Sequence, residues 1–334
     1  MIPYFAQPTV TVGPVTIAAF GVIVASSVMV GMTLGARRFA YLGLERALGD
    51  RFAWWVVAGG FLGAHLFAVL LYFPEKVLAN PLVLLKLWED ISSFGGIVGG
   101  ALAVWLFLRR HGAHLPLATR WAFVDVAAFV FPISLTIGRL ACAVAHDHPG
   151  TVTRFPLAIS LARPEAQRFI AGVYETAGRI AELPSAPMLS QLGFHDLGWY
   201  EFLYLALIVT PVMVLLERRE RRRGAHRPGT FLVSFIALYM PVRFLLDFLR
   251  VSDVRYPALT PAQWAALGAL AVVPVLLRHT RSIPLYHPAS GPGDLGVVGV
   301  DGADHGDLGG DRGGDRGGEE RDATRTSSGR TSIE

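Results

Sequence analysis

A single cysteine, Cys142, stands in the 334-residue chain, so no disulfide can close within it and its thiols do not reveal a redox compartment. Charge is scarce as well. Asp, Glu, Lys and Arg make up 17% of the residues, against about 25% in ordinary soluble domains. With 52% hydrophobic residues, that shortfall excludes an ordinary soluble domain and points to an integral membrane protein. No basic region precedes the first apolar run, so that run is expected to remain a membrane span and not a cleaved leader. No internal repeat is visible, and intramembrane charge is scarce beyond Arg139, Arg243, Asp247 and Asp125, which argues against a transporter.

What the chain does have is long apolar runs. Seven come near the roughly 20 residues that a bilayer requires: 15–34, 54–73, 91–108, 121–138, 199–216, 230–248 and 262–277. The fold class expected is an all-α polytopic membrane protein of about seven transmembrane helices. Lys and Arg set the orientation. Arg37, Arg38, Arg46 and Arg51 follow the first span, Arg109, Arg110 and Arg120 the third, and six arginines between 218 and 227 the fifth. The alternate loops are poorer, with Lys76 and Lys86 after the second span and Arg250 and Arg255 after the sixth. This places the N-terminus outside and the C-terminus in the cytoplasm. The run 218–223 reads as a topology signal near anionic lipid and not as a nucleic-acid patch.

Residues 1–285 form the expected membrane domain. It includes an external excursion, about 146–198, with prolines at 149, 156, 164, 184 and 187. A small cap with a short helix near 164–182 is expected there. Residues 286–334, including GDLGGDRGGDRGGEERDATRTSSGR, are rich in Gly, Asp and Arg and are expected to be a disordered cytoplasmic tail.

Polar residues within apolar surroundings are costly and mark function by default. Arg139, in SLTIGRLACAVAHDHPG, either snorkels to the headgroup level or binds an anion, which in a bilayer means lipid phosphate. Arg243 and Asp247 lie four apart on one helix face, as an internal ion pair or as an oriented anion-binding arginine. Glu201 opens the fifth span, either as a helix cap or as an arginine's partner. Asp125 admits a structural role. Gly95, Gly96, Gly99 and Gly100 strip a helix face, for close packing or for a lipid groove. His65 and Tyr72 read as buried hydrogen-bonding groups. His146 and His148 are two apart with no further ligand at fitting spacing, so no metal is expected.

Taken in order, these positions resemble the prolipoprotein diacylglyceryl transferase family over about residues 14–278. Asp125, Pro132, Gly138, Arg139, Asp147 and Gly150 stand at the spacing of the family's central motif. HDLGWYE keeps His195, Tyr200 and Glu201; RFLLDFLR keeps Arg243, Phe244, Asp247, Phe248 and Arg250; and LTPAQ at 259–263 follows. The resemblance implies transfer of a diacylglyceryl group from phosphatidylglycerol to a cysteine thiol in the lipobox of a lipoprotein precursor, at the plasma (inner) membrane, without a cofactor. It also implies that Arg139, Arg243, Asp247, Gly150, His195, Glu201, Gly95 and Gly96 bind substrate. The sequence departs from the pattern at five places. Phe94 stands where the family has a histidine, Cys142 where it has Asn and Phe20 where it has Tyr, while Asp247 and Asp147 are shorter than the usual Glu. A phenyl ring cannot accept a proton, so His146, His148 and Asp147 become the candidate catalytic residues. A divergent paralogue that binds anionic lipid or transfers a different group is the alternative.

Overall fold

A computed structural model describes residues 1–86, 91–251 and 254–288. The chain opens with a hairpin, β1 (Thr9–Val12) and β2 (Val15–Ala18), which runs into α1 (Ala19–Tyr41). α2 (Arg46–Phe67) continues through a π-helical turn to Tyr72 and is followed by the short α3 (Pro74–Ala79). α4 (Ser93–His111) and α5 (Leu117–Ala145) come next. The long excursion after α5 contributes β3 (Pro149–Thr153), β4 (Ile159–Ser160), α6 (Pro164–Thr176), α7 (Ala186–Leu189) and β5 (Gly193–Asp196). α8 (Leu197–Tyr204) passes through a π-helical turn into α9 (Thr210–Arg223). α10 (Thr230–Leu246) and α11 (Pro261–Arg281) complete the bundle.

The chain is mostly helical, and among the described residues six helices are long and apolar enough to cross a membrane: Ala19–Tyr41, Arg46–Tyr72, Leu117–Ala145, Leu197–Arg223, Thr230–Leu249 and Pro261–Arg281. It is a multi-pass membrane protein. The third expected span, 91–108, does form a helix, α4, but it is not among the six: four glycines lower its hydropathy, and Arg109 and Arg110 sit in its last turn. Many large side chains on the six stay uncovered, among them Leu62, Leu207, Leu215 and Val275, as lipid-facing positions require. α5 is the most enclosed span, 44% of its apolar window being buried against 11% for α1. It is the central helix, and it carries Asp125, Arg139 and Cys142.

α2 and α4 run antiparallel at backbone contact. A Cβ on Gly99 would lie 2.4 Å from the Gly59 carbonyl oxygen and 2.6 Å from Gly63 Cα, so only glycine fits at that crossing. Gly95 meets Phe67 and Gly63, and Gly96 lies against Gly60 and Ala64. Both glycines therefore face α2. Phe94 is buried in the core and tilts against the Phe67 ring.

The cap is more than the expected helix. β5 lies between β3 and β4 in an antiparallel sheet, with Val152 opposite Phe194 and Ile159 opposite Phe194. Ile2 bridges to Ile159 and ties the N-terminus to the sheet edge. Ala166, Ile170 and Tyr174 of α6 close a second core over Phe194 and Val251.

At the other end of α5 a buried clasp holds the loops. Arg38 donates to Glu220 Oε1 at 2.6 Å, and its guanidinium lies 4.4 Å from the Phe231 ring centroid. His226 contacts Glu220 Oε2 at 2.9 Å and pairs with Asp125 Oδ2 at 3.2 Å, while Asp125 Oδ1 accepts from Leu232 N. Asp125 is thus a structural residue. Tyr286 exchanges backbone hydrogen bonds with His226, and its hydroxyl donates to the Leu42 carbonyl. The first residues of the expected tail are therefore tied to the bundle; the rest of that tail, from 289, lies outside the described residues. Burial pulls the His226 pKa down, but hydrogen bonding and charge from Asp125 and Glu220 outweigh it and carry it to about 9. The charged ring's stabilisation is fully present below its ordinary pKa of about 6.5 and is lost as pH rises through about 9. The melting temperature of detergent-solubilised protein is therefore expected to fall across that window. His226→Gln should lower it at neutral pH and flatten the slope.

Candidate active site

The site lies where the last turns of α5, the start of α8 and the end of α10 meet beneath the cap. A Cβ on Gly198 would lie 2.9 Å from Ala143 N and Cys142 C, so glycine is what lets α8 close on α5. That approach brings Glu201 to Arg139. Glu201 is buried, and both of its oxygens have partners. Arg139 Nε pairs with Oε2 at 2.6 Å, Tyr239 OH donates to Oε2 at 2.8 Å, and Arg243 Nη1 donates to Oε1 at 2.9 Å. Of the two roles open to Glu201 in the sequence, it fills that of arginine partner; the α8 N-cap is Asp196, whose Oδ1 accepts from Trp199 N.

Arg243 Nη2 also pairs with Asp247 Oδ1 at 2.9 Å. Asp247 is held in turn by the Thr260 hydroxyl, and Arg250 Nη1 lies 3.8 Å away. Thr260 caps α11 in a capping box with Gln263. Arg139 and Arg243 are 2% and 5% exposed, which excludes simple snorkelling for both. Among the described residues Arg139 Nη2 makes no hydrogen bond or ion pair, and so remains a donor for an incoming oxygen.

The two histidines separate. α5 ends at His146 in the left-handed conformation, φ 51° and ψ 36°. This throws the ring into the cap, where Nδ1 contacts Asp196 Oδ2 at 2.6 Å and Nε2 faces the Phe5 carbonyl at 3.2 Å. The ring stacks on Tyr4 and is buried. Both of its nitrogens are occupied, away from the arginines. His148 turns the other way. Arg139 Nη1 donates to its Nε2 at 3.2 Å, and its Nδ1 contacts Asp147 Oδ1 at 2.5 Å. Nε2 accepts from a guanidinium, so the ring proton sits on Nδ1 and points at Asp147. Burial pushes the Asp147 carboxyl up, but the hydrogen bond from the His148 ring, together with the Arg139 guanidinium, holds it below the ordinary carboxylate range. Cys142 also joins this group, with Arg139 Nη1 3.7 Å from its Sγ.

The other expected site residues stand further off. His195 pairs through Nδ1 with the Tyr200 hydroxyl at 2.9 Å, half-buried, and burial lowers its pKa. A Cβ on Gly150 would lie 2.7 Å from the Leu249 carbonyl oxygen and 2.9 Å from His195 Cβ; this glycine lets β3 bridge to Arg250. The structure adds Tyr239, Thr260, Asp196 and Cys142 to the site. Tyr239 was accessible by spacing, four residues before Arg243 on the same helix face.

Fold and site together define a multi-pass membrane protein with a buried pair of arginines on a shared glutamate, beside a histidine–aspartate pair. The pattern of the prolipoprotein diacylglyceryl transferase family matches residues 7–278, and the chain belongs to that family of transferases. A phosphatidylglycerol–prolipoprotein diacylglyceryl transferase of Chromohalobacter salexigens is 30% identical over 278 residues, covering 80% of this chain and 87% of the relative. Proteins of the same name from Xanthomonas euvesicatoria pv. vesicatoria and Rhizobium meliloti are 31% and 27% identical, over 86% and 80% of this chain and 95% and 87% of their own length.

Proposed function

We propose that this chain transfers the diacylglyceryl group of phosphatidylglycerol to the lipobox cysteine thiol of a lipoprotein precursor. A thioether C–S bond forms, the C–O bond to phosphate breaks, and glycerol phosphate leaves. The observation that carries this reading is the convergence of Arg139 and Arg243 on Glu201. One buried carboxylate fixes two guanidinium groups, and arginine suits phosphate through its planar fork of donors and its permanent charge. Such a cluster stabilises the charge that grows on the departing phosphate.

His148 takes the base role that Phe94 cannot fill. Its Nε2 lone pair would accept the thiol proton, while Asp147 fixes the tautomer through Nδ1. Arg139 Nη1 donates to that lone pair. A phosphate oxygen competing for Arg139 would free it, so donor binding and base exposure become linked. His146 is a scaffold residue in this reading, and Gly150 and His195 position Arg250 and the cap.

The arginine-rich loops support an orientation with the N-terminus outside and the C-terminus in the cytoplasm, at the plasma membrane. The thiol-bearing precursor and the cap then meet on the outer side. The test is incubation of purified protein with phosphatidylglycerol labelled in its headgroup and a lipobox peptide. Release of labelled glycerol phosphate together with peptide lipidation is expected. Lipid binding with neither product would overturn the reading.

A further inference from the structure

Cys142, Asp147 and His148 each offer one ligand atom, and these atoms all lie within 4.8 Å of one another. Sequence spacing hid this group, because the left-handed turn at His146 folds Asp147 and His148 back over the last turn of α5. From these three side chains we infer a binding site for a thiophilic divalent cation, with zinc as the type. Zinc takes sulfur at about 2.3 Å and nitrogen or oxygen at about 2.0–2.2 Å, so tetrahedral ligand atoms stand roughly 3.5 Å apart. The observed spread closes to that by small side-chain rotations.

The donor set is a thiolate, an imidazole and a carboxylate, and the open fourth position goes to water. Binding displaces one proton, from the Cys142 thiol, and the thiolate and carboxylate then balance the cation's two charges. Access is available, since the His148 and Asp147 side chains are 14% and 34% exposed. The opposing charge is Arg139, whose Nη1 lies near both Sγ and Nε2. That guanidinium is anchored at Nε to Glu201, so Nη1 can give up these two contacts without losing its counter-ion. The family's asparagine at position 142 would supply no soft ligand, so the site belongs to this chain's own departure from the pattern.

A consequence follows that rests on the proposed transfer reaction. The cation takes His148 and Asp147 out of proton transfer, so occupancy inhibits. The experiment uses untagged full-length protein in detergent, stripped with a chelator, loaded with zinc or cobalt(II) and desalted. About one metal per chain is expected to stay bound, with a thiolate-to-cobalt charge-transfer band. Cys142→Ala should abolish the band and weaken metal retention at least about tenfold, and Asp147→Asn should weaken retention while keeping the band. Cys142→Ser, monodisperse on gel filtration, controls for folding. Wild type without the band, or Cys142→Ala retaining metal equally, overturns the site. In the transfer assay, zinc should inhibit wild type at concentrations at least about tenfold below those needed for Cys142→Ala, each compared with its own zinc-free rate. Cysteine-dependent binding without any transfer would sink the transfer reading alone. Transfer without cysteine-dependent binding would sink the metal site alone.

Discussion

Glu201→Gln is expected to reduce glycerol phosphate release by about a hundredfold or more, while the protein still reaches the membrane. Both oxygens of this carboxylate are engaged: Oε1 by Arg243, Oε2 by Arg139 and Tyr239. Glutamine keeps one acceptor oxygen and turns an amide N–H₂ toward a guanidinium, so one buried arginine loses its counter-charge. Removing one partner of a buried ion pair costs about 3–5 kcal/mol. If that cost falls on the geometry of the two arginines, it appears in the transfer rate; if it falls on folding, it appears as a lower melting temperature and lower yield. Glu201→Asp separates the two. It keeps the charge but is one methylene too short to reach both arginines, so it should fold better than the glutamine variant and still transfer poorly. A Gln variant that transfers at the wild-type rate would mean the arginine pair is not where lipid phosphate is held.

How far the sequence leads depends on which physical constraint each residue answers to. Arg139 and Arg243 stood out because an uncompensated charge in a membrane span is expensive, and that cost can be read without a structure. Their compensation could not be read, because Glu201 is brought to Arg139 by α8 closing on α5 at Gly198, a tertiary contact with no local signature. The six spans follow from apolar length. The cap sheet was missed because its strands, PGTVT, IS and GFHD, are two to five residues long and too short to show alternation. The glycines of α4 were ambiguous between a groove and a crossing; the partner glycines of α2, at 59 and 63, decide for a crossing. His146 and His148 looked equivalent because a left-handed residue at a helix C-cap is usually glycine or asparagine, and nothing in AHDHPG announces that a histidine takes it.

That separation yields the second large effect, which takes the two histidines one at a time. His148→Gln is expected to cut transfer at neutral pH by about 10²–10⁴-fold, the range a positioned general base contributes. Phosphatidylglycerol binding should be nearly unchanged, because Arg139 and Arg243 keep Glu201. Part of the rate should return as pH is raised toward the acceptor thiol's own pKa of about 8.5, where the peptide ionises unaided. His146→Gln should act differently. It removes the ring that contacts Asp196 and the Phe5 carbonyl, and it asks glutamine to adopt the left-handed backbone at φ 51°. The expected cost is about 1–3 kcal/mol from the buried Asp196 left without its partner, seen as a lower melting temperature. Any loss of transfer should follow the fraction folded and should not be rescued by raising the pH. His146→Asn, which tolerates the left-handed cap, should recover part of that stability. Equal losses of rate in His146→Gln and His148→Gln at matched folded fraction, both rescued at high pH, would show that the two rings act together and that the cap is part of the proton path.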